Sequence, residues 1–372
     1  MSYRPRDIYK GRRKFRVPLT IILFVLAALI VGSVVMFYTL QQFIVYDQTG
    51  VTLQLPFMAA EAPAEEEAVA VPTFEPVQVQ VIYTDPDFSQ IDLGGWEELT
   101  AETLRFIDFD TATDPVMLAA AITAAANEDY TGAVLELKTP AGQLAWSSAS
   151  ETALAFGTSG YMDYSETVQT MHDEGLRAVA QISCCADGLL ATRNWTVTLQ
   201  TISGTSYRDE TGVAWLDPYN RTVRSYIQDL MEELAAMGFD EIILADLYHP
   251  LSDISFTYSV TLQTAPNPVT AVCQMGRRLV EAMDGTGTAV SALLDESSLR
   301  EGLGASTGQD IETFWRLFAR LYCPAELGSA ADNKVLAMET MTQGDGDARF
   351  VPVVPGAPED FSSYCLRTPK DS

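Results

Sequence analysis

Carboxylates stand at the C-terminal ends of several predicted strands: Glu136, Asp187, Asp246, Asp295, Glu296 and Glu339. In α/β folds chemistry collects at those ends, where the loops converge on one opening. Two carboxyls facing one opening can divide acid and base work between them. Each could equally be a solvated loop carboxylate, because 50 Asp and Glu would put several there by chance. Other reactive types are scarce. The two histidines, His172 and His249, do not suffice for a His-based metal site, and no CxxC pair suggests structural zinc. His249 precedes Pro250 and reads as a loop residue. The adjacent Cys184 and Cys185 would need a nearby base to act as nucleophiles, and none is indicated. Five cysteines without regular spacing do not make a disulfide framework, although a single bridge stays open. Neither GxGxxG nor a P-loop is present, so no cofactor is expected.

The element that must position Asp246 is the stretch 215–250, WLDPYNRTVRSYIQDLMEELAAMGFDEIILADLYHP. Asp217 can cap a helix and Pro218 suits its first position, where no N–H is needed. Val223, Tyr226, Ile227, Leu230, Leu234 and Met237 fall on one helical face. Gly238 suits a left-handed C-cap. Ile242, Ile243 and Leu244 then form a short apolar run, the pattern of a parallel strand buried on both faces. The strand runs out into Asp246, Tyr248 and His249.

The same alternation extends along the chain. Further strands are predicted at residues 77–83, 103–110, 131–138, 176–183, 288–294, 334–340 and 348–354. Helices are predicted at 117–127, 151–156, 164–174, 269–283 and 310–321. Strand–helix alternation implies a parallel sheet with helical crossovers. About eight strands over about 270 residues suits a (β/α)8 TIM-like barrel. A Rossmann sheet is the alternative, without its glycine fingerprint.

The N-terminal part reads differently. Seven Lys and Arg crowd the first seventeen residues, and residues 18–38, PLTIILFVLAALIVGSVVMFY, carry no charge. That run is about long enough for one membrane-spanning helix, with a cleaved signal peptide, whose apolar core would be shorter, as the rival reading, and the basic flank would leave the N-terminus in the cytoplasm. The expected organisation is a basic tail (1–17), a transmembrane anchor (18–38), a juxtamembrane segment with an acidic Ala/Glu/Pro linker (39–76) and an extracytoplasmic barrel (77–372). The formal net charge of −27 argues against nucleic-acid binding, which needs a basic footprint.

The stretch WLDPYNRTVRSYIQDLMEELAAMGFDEI resembles the central signature of the bacterial putative glycosyl hydrolase domain family, barrel proteins related to glycoside hydrolases. GAVLELKTPAGQL, VQTMHDEGLRAVAQISCCAD, YRDETGVAWLDP and STGQDIETFWRLF extend the likeness over residues 103–318. Lys138, Arg208, Trp215 and Asp217 match the pattern, and Glu136 replaces an Asp. Gln181 stands where the family has Arg, Ala186 where it has Lys, and Tyr248 where it has Arg. Most important, Ala245 occupies the place of the family's strand-end Asp, and Asp246 comes one position later. By strand parity Glu241, Ile243 and Ala245 face the barrel interior, which puts Asp246 on the helix-facing side unless a bulge intervenes.

The resemblance implies glycoside hydrolysis, which uses two carboxyls flanking the sugar. Asp246 would be the acid and Glu339, closing the penultimate predicted strand, the nucleophile. Glu136, Lys138, Asp187, Arg208, Trp215 and Tyr248 are the candidates for substrate contact, the two aromatics, with Tyr219, as a stacking platform. Glu136 and Lys138 share a predicted strand face and could equally pair to hold the strand end; rim or core packing serves the aromatics as well. Three readings stay open. One is a membrane-anchored hydrolase acting on cell-envelope or extracellular glycans. Another is a catalytically lapsed barrel that binds glycan or scaffolds at the envelope. The last is a barrel with unrelated chemistry or a protein partner.

Overall fold

The computed structural model describes Leu26, residues 44–47 and 50–53, and residues 99–368 with short interruptions at 253, 259–266, 301–303, 327, 341–345 and 359–360. The chain divides into two compact units, 1–80 and 81–372. In the first, Ile44–Asp47 pairs antiparallel with Gly50–Leu53.

The second unit is a closed barrel of eight parallel strands. They are β1 (Thr103–Ile107), β2 (Gly132–Lys138), β3 (Arg177–Ser183), β4 (Glu241–Ala245), β5 (Ala289–Leu293), β6 (Leu321–Pro324), β7 (Phe350–Val354) and β8 (Tyr364–Leu366). Each pairs with the next, and β8 closes on β1. The crossover helices are α1 (Pro115–Asn127), α2 (Ser165–Asp173), α3 (Arg221–Ala236), α4 (Pro268–Ala282), α5 (Ile311–Leu317) and α6 (Ala330–Thr340).

Short polar side chains start these helices by satisfying free N–H groups. Asp114 accepts from Val116 and Met117 at α1, Asn267 from Val269 and Thr270 at α4, and Asp310 from Thr313 at α5. Pro follows the cap in α1 and α4. In α3 the cap is Asn220 rather than Asp217, and the helix begins at Arg221. The predicted apolar face of α3 is the buried one: Val223, Tyr226, Ile227, Leu230 and Leu234, joined by Met231. Gly238 adopts φ +94°, the left-handed conformation expected after this helix.

Strand alternation sorts side chains into two cores. Val134, Val179, Ile243, Tyr322, Val351, Leu104 and Cys365 fill the barrel. Leu135, Ile182, Ile242 and Leu244 face the helices. Below the inner layer, near the strand N-termini, four charges meet. Arg320 Nη1 lies 2.8 Å from Glu241 Oε2, and its Nη2 lies 2.8 Å from Glu102 Oε1. Arg177 contacts Glu102 and lies 3.3 Å from Glu241. Ser291 and Tyr322 donate to Glu241 at 2.7 and 2.9 Å. Burial pushes the Glu102 carboxyl up, as does Glu241, against the pull of Arg320 and Arg177.

The structure corrects two expectations and does not describe the residues of a third. Residues 334–340, KVLAMET, form the end of α6 rather than a strand, so Glu339 lies on a helix. Ala, Leu, Met, Lys and Glu are strong helix formers and outnumber the two β-branched residues, Val335 and Thr340. The strand in that part of the barrel is β6, which the predicted helix 310–321 had run into. The predicted strand at 77–83 lies outside the described residues. Finally, among the described residues no helix is long and apolar enough to cross a membrane. This overturns the single-pass fold and topology: neither membrane anchoring, a cytoplasmic N-terminus nor an extracytoplasmic location carries forward. The apolar run 18–38 lies, apart from Leu26, outside the described residues.

Because Glu102, Glu241 and Arg320 are buried and only Arg177 is partly exposed, removing a buried member strands its partners. Arg320→Met is expected to destabilise the barrel by about 3–5 kcal/mol in urea unfolding, since it removes the buried cation between Glu241 and Glu102 and leaves them only the partly exposed Arg177. Tyr322→Phe, which removes one neutral donor, should cost about 1–3 kcal/mol. Equal costs for the two variants would refute the ranking.

Candidate functional site

The C-terminal mouth is built where β3 and β4 end side by side, with Ser183 paired to Ala245 and both on inward positions. The strand pairing continues one step further: Cys184 N donates to Ala245 O at 2.8 Å and Cys185 N to Asp246 O at 3.1 Å. At Asp246 the backbone turns left-handed, with φ +52°. Asp is among the few non-glycine residues that adopt this conformation readily. The turn breaks the in–out alternation. Asp246 Oδ2 comes to lie 2.5 Å from Ser183 Oγ, inside the mouth and not toward the helices. Ser183 Oγ also lies 2.8 Å from the Ala186 carbonyl. Parity alone had assigned this carboxylate to the wrong side. Burial holds its pKa above the usual range; Asp209 and Asp295 add to the rise, and Ser183 and Lys138 oppose it.

Asp209 sits on the hairpin 207–215 and has the opposite character. Oδ1 accepts from Thr211 N (2.9 Å), Thr211 Oγ1 (2.7 Å) and Val213 N (3.0 Å), and Oδ2 accepts from Trp215 Nε1 (3.0 Å). Burial raises its pKa, but these donors outweigh burial and hold it below the usual value. Trp215 is buried and packs edge-on against Tyr248, ring centroids 4.8 Å apart. Tyr248 is half-buried, and its phenol is pushed far up by burial and then by Asp246, Asp295 and Asp209.

Gln309 ties the other side of the mouth. Its amide donates to Leu247 O and Leu293 O, both at 3.2 Å, and its carbonyl accepts from Asp295 N at 2.8 Å and Ser298 Oγ at 2.7 Å. This one buried side chain holds the ends of β4 and β5 together. His249 is fixed nearby. Its N–H donates to Thr307 O at 2.6 Å, Nε2 lies 2.9 Å from Tyr258 Oη, and its ring packs against Phe256. Burial pushes its pKa down to about 4, so the ring is neutral at pH 7.

The other predicted residues scatter. A bulge in β2 between Glu136 and Lys138 takes them off a common face. Lys138 is buried behind the mouth, 3.0 Å from the buried Asp187, and donates to Ser183 O at 2.7 Å. Asp187 also caps the short helix Gly188–Arg193. The two are thus withdrawn from any ligand. Glu136 is half-buried, accepts from Phe109 N at 3.2 Å, and lines a cavity of about 590 Å³ with Phe106, Asp108 and Arg367. Arg208 is exposed and donates to Gly212 O of its own hairpin. Ser183 and Gln309 escaped sequence reasoning. Ser183 could have been found from its inward parity beside Ala245; nothing in TGQD marks Gln309. Among the described residues no group of three or more His, Cys, Asp and Glu could hold a metal ion. The five cysteines are free and buried.

Residues 106–313, more than half of the chain, match the family described as "Putative glycosyl hydrolase domain", and the chain belongs to that family. Among solved structures it is similar to the glycoside hydrolase domain of PgaB (BpsB) from Bordetella bronchiseptica, at 12% identity over 73% of this chain and 95% of that one, with a TM-score of 0.56. It is also similar to a hypothetical protein from Ruminiclostridium thermocellum ATCC 27405, at 21% identity over 50% of this chain and 95% of that one, with a TM-score of 0.45. At these identities the likeness to PgaB is one of fold. No curated protein matches the chain in sequence.

The depressed His249 pKa has a thermodynamic consequence. The unfolded chain binds a proton below about pH 6.5 that the folded chain refuses until about pH 4, so this histidine's contribution to stability is lost as pH falls through that window. The slope is about 1.4 kcal/mol per pH unit. His249→Phe should remove it, flattening the stability curve between pH 6.5 and 4 in urea titrations. Parallel curves for wild type and variant would contradict the assignment.

Proposed function

We propose, from membership in this family and from the chemistry at the β4 end, that the barrel hydrolyses a glycosidic bond, with Asp246 as the general acid. One observation carries the reading: the left-handed turn that aims the Asp246 carboxyl into the mouth, against Ser183. Ser183 Oγ has one proton and two acceptors within reach, Ala186 O at 2.8 Å and Asp246 Oδ2 at 2.5 Å, so it satisfies only one of them at a time. A carboxyl whose pKa burial holds above the usual range is suited to give a proton to a leaving sugar oxygen.

Asp209 is the complementary carboxylate in this reading. Acid and base roles follow when two neighbouring carboxyls have their pKa values pushed apart. Burial and like charge push Asp246 up, while hydrogen bonds hold Asp209 down. The ionised Asp209 would stabilise the positive charge that develops on the sugar ring in the transition state. Tyr248, half-buried and edge-on to Trp215, offers an aromatic face two residues along the chain from the acid. Glu339, expected at a strand end, lies on a helix, and this reading does not use it.

Hydrolysis of a panel of neutral and amino-sugar oligosaccharides by wild type and Asp246→Asn provides the test. For a cleaved substrate the variant is expected to lose about 10²- to 10⁴-fold in kcat, the span of general acid catalysis. Wild-type activity should fall as pH rises through the elevated Asp246 pKa, and that limb should vanish in the variant. Unchanged turnover in Asp246→Asn would sink the assignment. Glycan binding without turnover in wild type would leave a binding barrel.

A further inference from the structure

A separate feature lies on the outer wall, between α3 and α4. Arg221, Arg224 and Arg278 line one groove of about 600 Å³, together with Gln228, Leu279 and one carboxylate, Glu281. The chain carries 50 acidic residues against 23 basic ones, and seven of those basic residues sit in the first seventeen positions. Three guanidiniums in one groove are therefore against the trend of the molecule. Among the described residues no carboxylate pairs with any of them. The nearby acids are engaged elsewhere: Glu281 holds Arg277 at 2.6 Å, and Glu232 accepts from Gln228 at 2.8 Å.

The cluster is also organised. Arg224 is half-buried, and its Nη1 donates to Tyr219 O at 2.7 Å and Pro218 O at 3.4 Å, which fixes the guanidinium in place. Arg221 occupies the first position of α3, a 16-residue helix whose N-terminal end adds positive potential. Arg221 and Arg278 are exposed and free to close on a ligand. Burial, then Arg278, then Arg221 work against the Arg224 charge, and Asp217 only partly offsets them. A doubly charged anion would relieve that repulsion.

We infer that this groove is a binding site for the phosphoryl group of a small phosphorylated molecule, of sugar-phosphate size. Three forked guanidiniums match a tetrahedral dianion with several terminal oxygens better than a single carboxylate, which one arginine satisfies alone. The groove is larger than a bare phosphate needs and falls in the ordinary range for small-molecule sites. Leu279, buried between the two helices, offers an apolar floor for the organic part. The inference is independent of the chemistry at the barrel mouth.

Calorimetric titration of the full chain at constant ionic strength tests it, with inorganic phosphate, glucose 6-phosphate and unphosphorylated glucose as probes. Glucose 6-phosphate should bind, inorganic phosphate more weakly, and glucose not at all. The double variant Arg221→Gln/Arg278→Gln, made at exposed positions so that folding is preserved, should bind glucose 6-phosphate at least tenfold more weakly. Asp246→Asn should bind it like wild type, which separates this site from the mouth. Binding of glucose as tight as that of its phosphate, equal affinity in the double variant, or no binding of either phosphate would each overturn the inference. Inorganic phosphate binding as tightly as the sugar phosphate would overturn the sugar-phosphate assignment.

Discussion

The barrel is closed at its base by an electrostatic plug. Glu102 precedes β1, Arg177 opens β3, Glu241 opens β4 and Arg320 precedes β6, so residues far apart in sequence meet in one buried cluster. Charges taken out of water are tolerated only when paired and hydrogen-bonded. Any register that separated these four would leave charges stranded in the interior. The plug therefore selects one stagger of strands, beyond what the apolar layer above it would specify. The apolar layer of Val134, Val179, Ile243 and Tyr322 tolerates rearrangement more readily, since it has no directional bonds. Tyr322 belongs to both layers, its ring in the apolar cluster and its hydroxyl on Glu241.

With the base pinned, the mouth takes its form from two local departures from strand regularity. The bulge in β2 sends Lys138 outward to Asp187, and the left-handed residue after β4 sends Asp246 inward to Ser183. Each reverses the placement that simple alternation would give. Together they sort the charges: the cation and its counter-ion are sealed behind the sheet, and a carboxyl short of compensating cations is left facing the opening. Lys138 still holds Ser183 through its carbonyl, so the buried pair braces the residue on which Asp246 rests. Gln309 braces the β4–β5 side through four hydrogen bonds.

The two ends of the barrel use polar groups differently. At the base every charge has an opposite partner, and rigidity follows. At the mouth Asp246, Asp209 and Asp295 share a region, and their mutual field raises the proton affinity of the most buried one. A fold that can afford this like-charge crowding must be held together elsewhere, and the plug supplies that hold.

The amino-acid sequence determined the alternating architecture through β5, because helical and strand periodicity are local and the caps and apolar stripes of α1, α3 and α4 are strong. The family likeness also lies in that part, and its match ends at residue 313. Beyond it the local signal weakens. β6 and β8 are short, and residues 334–340 have helix-forming composition. Their placement is set by the need to close the barrel, a non-local demand that no window of residues records. The same division holds at the mouth. The sequence marked Asp246, Tyr248 and His249 as residues at the end of the decisive strand, but it could not say which way the carboxyl points. That depends on one backbone torsion at Asp246, and the torsion is held by hydrogen bonds from Cys185 and contact with Ser183 on the neighbouring strand. Only the assembled sheet brings those partners within reach.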